Sequence, residues 1–296
     1  MKIRFDDRVA IVTGAGAGLG RAHALGLASR GAKVVVNDLS IDSARSVAEE
    51  IVAAGGQAQA IAASVADLQQ VDDMVKQVMQ RWGRVDVLVN NAGILRDKSF
   101  SKMDMADFRL IVDVHLLGSA NCTKAVWDIM RAQNYGRIIM TTSGSGIYGN
   151  FGQANYGAAK AGVVGLMNVL ASEGRKNDVR VNALAPTAAT AMTEGILTPE
   201  SLALLAPESV TPGLLFLAGE DAPTGVILGA GAGCFAIAQM IESEGVHLSG
   251  DELSPEGIAA RFADLNDMRR GKPLASAIEQ SVKYVSMASA AASQSN

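Results

Sequence analysis

From residue 9 to residue 185, short apolar runs rich in Val and Ile alternate with longer stretches of helical periodicity. Runs 9–13, 33–37, 57–62, 85–90, 137–141 and 179–185 read as strands. Between them, a stretch reaching Arg30 and the stretches 40–54, 67–81, 104–133 and 153–175 read as helices. A crossover helix of roughly 12 to 20 residues returns the chain to the same end of its sheet, so successive strands pair in parallel. The expected fold class is therefore α/β: a doubly wound parallel sheet of Rossmann type, a single domain with a helical C-terminal extension. No repeat, Pro-rich linker or charge block interrupts the pattern. The domain is placed at 1–233 and the extension at 234–296. Within the extension, 240–288 is expected to be mostly helical, with Ser254 as an N-cap before Pro255, and the small polar residues 289–296 are expected to fray.

Charge and composition remove several classes of function. The 26 Lys and Arg are outnumbered by 30 Asp and Glu, leaving no cationic excess for a nucleic acid backbone. The charged N-terminus, Met-Lys-Ile-Arg-Phe-Asp-Asp-Arg, lacks the apolar stretch of a signal peptide. The longest run without charge or strong polarity, 225–238, is too short and too rich in Gly to span a bilayer, and reads as a buried strand leaving through a Gly-rich turn. A cytoplasmic protein with neither nucleic acid nor membrane as partner is expected. The two cysteines, Cys122 and Cys234, have no metal-ligand spacing. Both are expected to be buried thiols, and no metal is expected.

The first strand runs into Thr13-Gly-Ala-Gly-Ala-Gly-Leu-Gly20, which opens a helix. Glycines at such a turn let a pyrophosphate approach the helix N-terminus, where free N–H groups and the dipole favour negative charge. The alternative is a tight turn and nothing more, but placement inside a βαβ unit favours dinucleotide binding. Asp38 ends the second strand about 20 residues after the glycines, where an acid accepts from adenosine ribose hydroxyls. A carboxylate there repels the extra phosphate of NADP, which favours NAD. Asp38 could instead cap the next helix, a role equally open to Ser40.

Gly14, Gly18 and Gly20 are followed in order by Asn90-Asn91-Ala-Gly93, by Ser143 and by Tyr156-Gly-Ala-Ala-Lys160. This ordered set resembles the short-chain dehydrogenase/reductase family. The resemblance implies that Tyr156 is the general acid/base, that Lys160 lowers its pKa and binds the nicotinamide ribose, and that Ser143 hydrogen-bonds the substrate oxygen. Tyr156 and Lys160 share a helix face four residues apart, and a lone pair of this kind is usually a surface feature. A phenol with a pKa of about 10 is a poor base at neutral pH. Lowering it by about three units takes roughly 4 kcal/mol, about what one cation 4 Å away supplies at an effective dielectric of 20.

The resemblance further implies cofactor contacts from Gly14, Gly18, Leu19, Gly20, Asp38, Ser64, Val65, Asn91, Gly93, Tyr156, Lys160, Ala188, Ala189 and Thr190, with Ser143 and Tyr156 also touching substrate. Three positions depart from the family pattern. His115 stands where the family usually has an Asn that completes a proton relay, so His115 is a candidate for that relay or an ordinary packing residue. Ser64 replaces an acid that contacts adenine. Pro186-Thr187 replaces a Pro-Gly pair beside the carboxamide contacts.

Longer segments, among them Ile94-Leu-Arg-Asp97 and Ser145-Gly-Ile-Tyr-Gly-Asn-Phe-Gly-Gln-Ala-Asn-Tyr156, are similar to the (3R)-hydroxyacyl-CoA dehydrogenase group of peroxisomal multifunctional enzymes. That group also carries His at the place of His115. The implied reaction takes (3R)-3-hydroxyacyl-CoA and NAD to the 3-oxoacyl-CoA and NADH. A 17β-hydroxysteroid dehydrogenase is the alternative, because each methylene in an apolar pocket decides only about 1 to 3 kcal/mol. An inactive dinucleotide-binding scaffold or sensor is the third reading, which the intact Ser143, Tyr156 and Lys160 oppose. Tyr148, Phe151 and Gln153 are candidates to line the pocket. A homodimer or homotetramer is expected, since the family commonly associates through its fourth and fifth helices. The C-terminal Ser-Gln-Ser-Asn carries no Ser-Lys-Leu peroxisomal address.

Overall fold

The computed structural model describes residues 2–189 and 198–294. The chain divides into two compact units, Met1–Ile237 and Ala238–Asn296. The first unit contains β1 (Val9–Val12), α1 (Gly18–Ala28), β2 (Lys33–Asp38), α2 (Ile41–Ala53), β3 (Gln57–Ala62), α3 (Leu68–Trp82) and β4 (Val87–Asn90). It continues with α4 (Met105–Val112), α5 (Gly118–Gln133), β5 (Gly136–Thr141), α6 (Gly144–Tyr148), α7 (Ala154–Glu173) and β6 (Val179–Pro186). Then come α8 (Pro199–Leu204), α9 (Thr211–Ala218), β7 (Ile227–Gly231) and β8 (Cys234–Ala238), the last strand ending at the unit boundary.

The sheet order is β3-β2-β1-β4-β5-β6-β7-β8, and the pairings from β3 across to β7 are parallel. Strand order reverses between β1 and β4, and ligands of such sheets bind at the carboxyl ends beside that reversal. Every residue of β1, β4 and β5 is buried, as befits strands covered by helices on both faces. Alternate side chains feed two apolar layers. Ala10 and Val12 join Leu27, Val47, Ile51 and Leu214 on one face. Val9 and Ile11 join Val71, Met74, Val126 and Met167 on the other.

Local chemistry sets the helix ends. The side chains of Ser40, Asp67 and Asp104 accept from Ser43, Gln70 and Ala106 backbone N–H groups and start α2, α3 and α4. Gly83 and Asn134, both in the left-handed region, stop α3 and α5. The expected helix 104–133 is interrupted by a π-helical turn, Asp113–Leu117, between α4 and α5, an irregularity that often marks a functional site. Among the described residues, no helix is long and apolar enough to cross a membrane.

Several expectations need correction. The run 225–238 forms two strands, β7 and β8, joined by Ala232-Gly233 with positive φ at both residues. Four of the five β8 residues are exposed, so Cys234 is an exposed thiol, whereas Cys122 is buried as expected. In the second unit, helix is scarcer than expected before residue 277. Short turns Pro255–Ala260 (α10), Phe262–Leu265 (α11) and Met268–Arg270 precede one long helix, α12 (Ala277–Gln294). Ser254 caps α10 through Gly257 N–H as expected. The stretch expected to fray from residue 289 is helical to Gln294, because its alanines are strong helix formers.

Candidate active site

The loop from β1 to α1 is built for an anion. Gly14 and Gly18 hold φ of 60° and 54°, conformations that glycine adopts without a steric penalty. A Cβ on Gly20 would overlap the Gly14 carbonyl oxygen and come within 2.6 Å of Asn91 Nδ2. Ala17 leads into α1 without a side-chain cap, and the first turn has no acid, so the helix N–H groups are left for a phosphate. These features fit a dinucleotide pyrophosphate. Asn91 serves the loop: its Nδ2 donates to the carbonyls of Thr13 (3.0 Å) and Gly14 (3.1 Å).

Asp38 stands at the end of β2, half-buried. One carboxylate oxygen accepts from Gly16 N–H (3.0 Å) and the other from Ser40 N–H (3.1 Å). The cap of α2 belongs to Ser40, so Asp38 joins the glycine loop and keeps lone pairs for further donors. Beyond β3, Ser64 N–H donates to Gln70 Oε1 and Val65 is buried, its carbonyl accepting from Asn121. Ala188 is buried and Ala189 N–H donates to Leu205 O. Thr190 lies outside the described residues.

The second cluster sits at the carboxyl end of β5. Ser143 is the N-cap of α6 and accepts from Ser145 N–H through its side chain. Tyr156 and Lys160 are one turn apart on α7, and the Ser143 hydroxyl acts on the Tyr156 phenol, lowering its pKa. Lys160 is 3% exposed. Its Nζ donates to Thr141 O (2.6 Å) and lies 5.6 Å from the Tyr156 ring centroid. Burial lowers the Lys160 pKa to about 7. In the chain without its cofactor, burial raises the Tyr156 pKa, and the Ser143 hydroxyl partly opposes that.

His115 lies on the π-helical turn, fully buried, with its ring edge-on to Tyr156 at 5.1 Å between centroids. Its Nε2 is 2.7 Å from Ile94 O and 3.1 Å from Ile94 N. The shorter contact assigns the proton to Nε2, leaving Nδ1 as a buried acceptor with no hydrogen-bond partner among the described residues. Burial, helped by the Lys160 charge, lowers the His115 pKa to about 3. A Cβ on Gly93 would collide with His115 Cε1, so the Asn-Asn-Ala-Gly turn and the π turn fit only with glycine there.

Two of the candidate pocket residues face solvent: Tyr148 is 78% and Phe151 91% exposed. Gln153 is buried and makes polar contacts with Ser145, Asn150 and Asp97. The sequence reading did not single out Asp97, Ser145 or Asn155. Short polar residues beside a Gly-rich turn read as loop, and only tertiary placement brings them together.

A family model described as short chain dehydrogenase matches residues 8–200. Peroxisomal multifunctional enzyme type 2 of Drosophila melanogaster is 46% identical over 293 residues, 95% of this chain and 48% of that one. The full-length structure of that enzyme aligns at 41% identity with a TM-score of 0.83, over 96% of this chain and 50% of that one. A 7α-hydroxysteroid dehydrogenase complexed with NADH and 7-oxo glycochenodeoxycholic acid aligns at 32% identity with a TM-score of 0.72, over 78% of this chain and 95% of that one. The chain spans about half the length of the multifunctional enzyme it matches.

Proposed function

The chain belongs to the short-chain dehydrogenase family, an oxidoreductase family that uses a nicotinamide dinucleotide, and from that premise we propose that it oxidises a (3R)-3-hydroxyacyl-CoA with NAD. The observation that carries this reading is the convergence of Ser143, Tyr156 and Lys160 at the carboxyl end of β5, in a chain matched along nearly its whole length by a multifunctional enzyme. When bound, the nicotinamide ring accepts the hydride. Ser143 hydrogen-bonds the substrate oxygen, and Tyr156 takes the hydroxyl proton. Lys160, anchored on Thr141 O, has two further N–H groups for the phenolate and the nicotinamide ribose.

Gly14, Gly18, Leu19 and Gly20 would hold the pyrophosphate, Asp38 the adenosine ribose, Ser64 and Val65 the adenine, and Ala188, Ala189 and Thr190 the carboxamide. Asn91 and Gly93 would support the cofactor through the turns they hold. NAD is preferred over NADP because the carboxylate of Asp38 stands beside Gly16, where it repels a 2′-phosphate. We assign His115 to keeping Ile94 and the Tyr156 ring in place, since its neutral imidazole does not store a proton near pH 7. The hydroxysteroid neighbour favours a second reading, a steroid alcohol as substrate. An NAD-reduction assay comparing (3R)- and (3S)-3-hydroxyacyl-CoA with 17β-hydroxysteroids decides between them. Turnover of the (3R) thioester is expected, and activity on steroids alone overturns the first choice. Light scattering should find a homodimer or homotetramer, and a strict monomer would remove that expectation.

A further inference from the structure

Residues 96 to 98 bond one after another to the start of the Tyr156 helix. Arg96 O accepts from Asn155 Nδ2 (3.0 Å), Asp97 Oδ2 accepts from Gln153 Nε2 (2.6 Å), and Lys98 N–H donates to Gly152 O (2.9 Å). Arg96 and Lys98 also flank Asp107 of α4 at 3.8 and 3.7 Å, which ties the loop down from its other side. Gln153 precedes α7 without serving as its side-chain cap. Its Oε1 accepts from Ser145 Oγ (2.6 Å) and Asn150 Nδ2 (3.1 Å). Ser145 N–H in turn donates to Ser143 Oγ (3.2 Å). Only one amide orientation satisfies these neighbours, with the carbonyl toward two donors and the NH2 toward a carboxylate.

We infer that Gln153 is a positioning residue for the reaction, held by Asp97 and itself holding the Ser143 turn and the first turn of the Tyr156 helix in register. The inference rests on the dehydrogenase reading of this site. Its physical content is a polarity pattern, carboxylate to amide to hydroxyl, that fixes which way the Ser145 turn faces. Gln153→Glu keeps the shape and reverses one end of that pattern. Two carboxylates would then meet where the 2.6 Å bond now lies, and the turn must move. Adding Asp97→Asn restores a donor–acceptor pair of opposite sense, while Ser145 and Asn150 keep their acceptor.

The test compares wild type, Gln153→Glu and Gln153→Glu/Asp97→Asn on any secondary alcohol the wild type oxidises. The single variant should lose about 10-fold or more in kcat with the cofactor KM within about twofold, and the double variant should recover to within about threefold. Wild-type kcat in the single variant, or a double variant that regains its melting temperature but not its kcat, overturns the inference. A substrate-free reading separates this outcome from failure of the dehydrogenase proposal. Tyrosinate absorbance of Tyr156, taken as the difference from Tyr156→Phe, should move to higher pH in Gln153→Glu as the Ser143 hydroxyl leaves its place beside the phenol, and return in the double variant. An unmoved midpoint overturns the inference whatever the substrate. Should Gln153→Glu not fold, Gln153→Met, which removes the amide without changing any charge, takes its place: the inference requires the same upward move of the midpoint, and an unchanged midpoint overturns it.

Discussion

Strand β5 has a buried cation at each end, and the two are held differently. Near its start, Arg137 is fully buried, and each of its guanidinium nitrogens has acceptors. Nε donates to Gly219 O, Nη1 to Gly136 O and Asp178 O, and Nη2 to Asp178 Oδ2 and Glu220 O, and the Tyr135 ring lies 4.1 Å away. Just past its end, Lys160 is buried to a similar degree, with one backbone carbonyl as its partner among the described residues. A buried cation with every donor satisfied is structural, whereas one with donors in reserve and a lowered pKa is poised for another partner.

Breaking the poised end should change activity without loss of stability. Lys160→Met and Tyr156→Phe are each expected to lower kcat by roughly 10²- to 10⁴-fold, measured at saturating NAD, with NADH binding by fluorescence retained in Tyr156→Phe. Lys160→Met removes a desolvated ammonium, so its melting temperature should hold or rise. A large fall in melting temperature would mean that Lys160 is a structural cation like Arg137, and the contrast would collapse.

At the other end, Arg137→Met should leave kcat of the folded fraction near wild type and lower stability by about 3 kcal/mol. That figure is the lower part of the range for breaking a buried pair, because Asp178 is partly exposed and rehydrates. Denaturant unfolding reads it. A loss below about 1 kcal/mol would show that the guanidinium network does no more than a surface pair.

The same contrast explains which parts of the molecule were legible in the sequence. Strands such as Lys33–Asp38 and Val87–Asn90 were readable because a strand covered on both faces must be largely apolar and β-branched. Ser143, Tyr156 and Lys160 were readable because their chemistry fixes both residue type and spacing. The π-helical turn under His115 was not, since one extra residue in a helical turn leaves the apolar periodicity almost unchanged. Nor was the direction of the Tyr156 shift, which depends on whether the Lys160 ammonium points at the phenol or at Thr141 O. The hairpin partner β8 and its exposed Cys234 read as buried because the run is apolar, yet apolar composition does not say that a second face is covered.

Two buried histidines carry the comparison over to bases that must stay neutral. His23, hydrogen-bonded to Thr211 at 3.1 Å, and His115 both have pKa values lowered by burial from 6.5 to about 3. The unfolded chain binds these protons near pH 6.5 and the folded chain does not. Stability is therefore complete above about pH 6.5 and falls as pH drops from there toward 3. At pH 5 each is expected to remove about 2 kcal/mol. Unfolding in urea at pH 7 and pH 5 measures the sum, and His23→Gln should shrink the difference by about half. An equal fall in His23→Gln would place the acid sensitivity elsewhere.

Asp38 tests the contrast at its smallest scale, because its carboxylate is partly satisfied and partly in reserve. Its two backbone bonds, to Gly16 and Ser40, organise the loop, and its free lone pairs are the ones offered to ribose hydroxyls. If the reserve capacity is what selects the cofactor, Asp38→Ala should reduce the NAD over NADP preference in kcat/KM by about 10-fold, or about 1.4 kcal/mol. Asp38→Asn separates the two roles. An Asn keeps an acceptor for Gly16 N–H but removes the charge that repels a 2′-phosphate, so NADP use should rise while NAD use falls only slightly. An unchanged cofactor ratio in both variants would return Asp38 to the structural side of the comparison, a loop brace like Asn91.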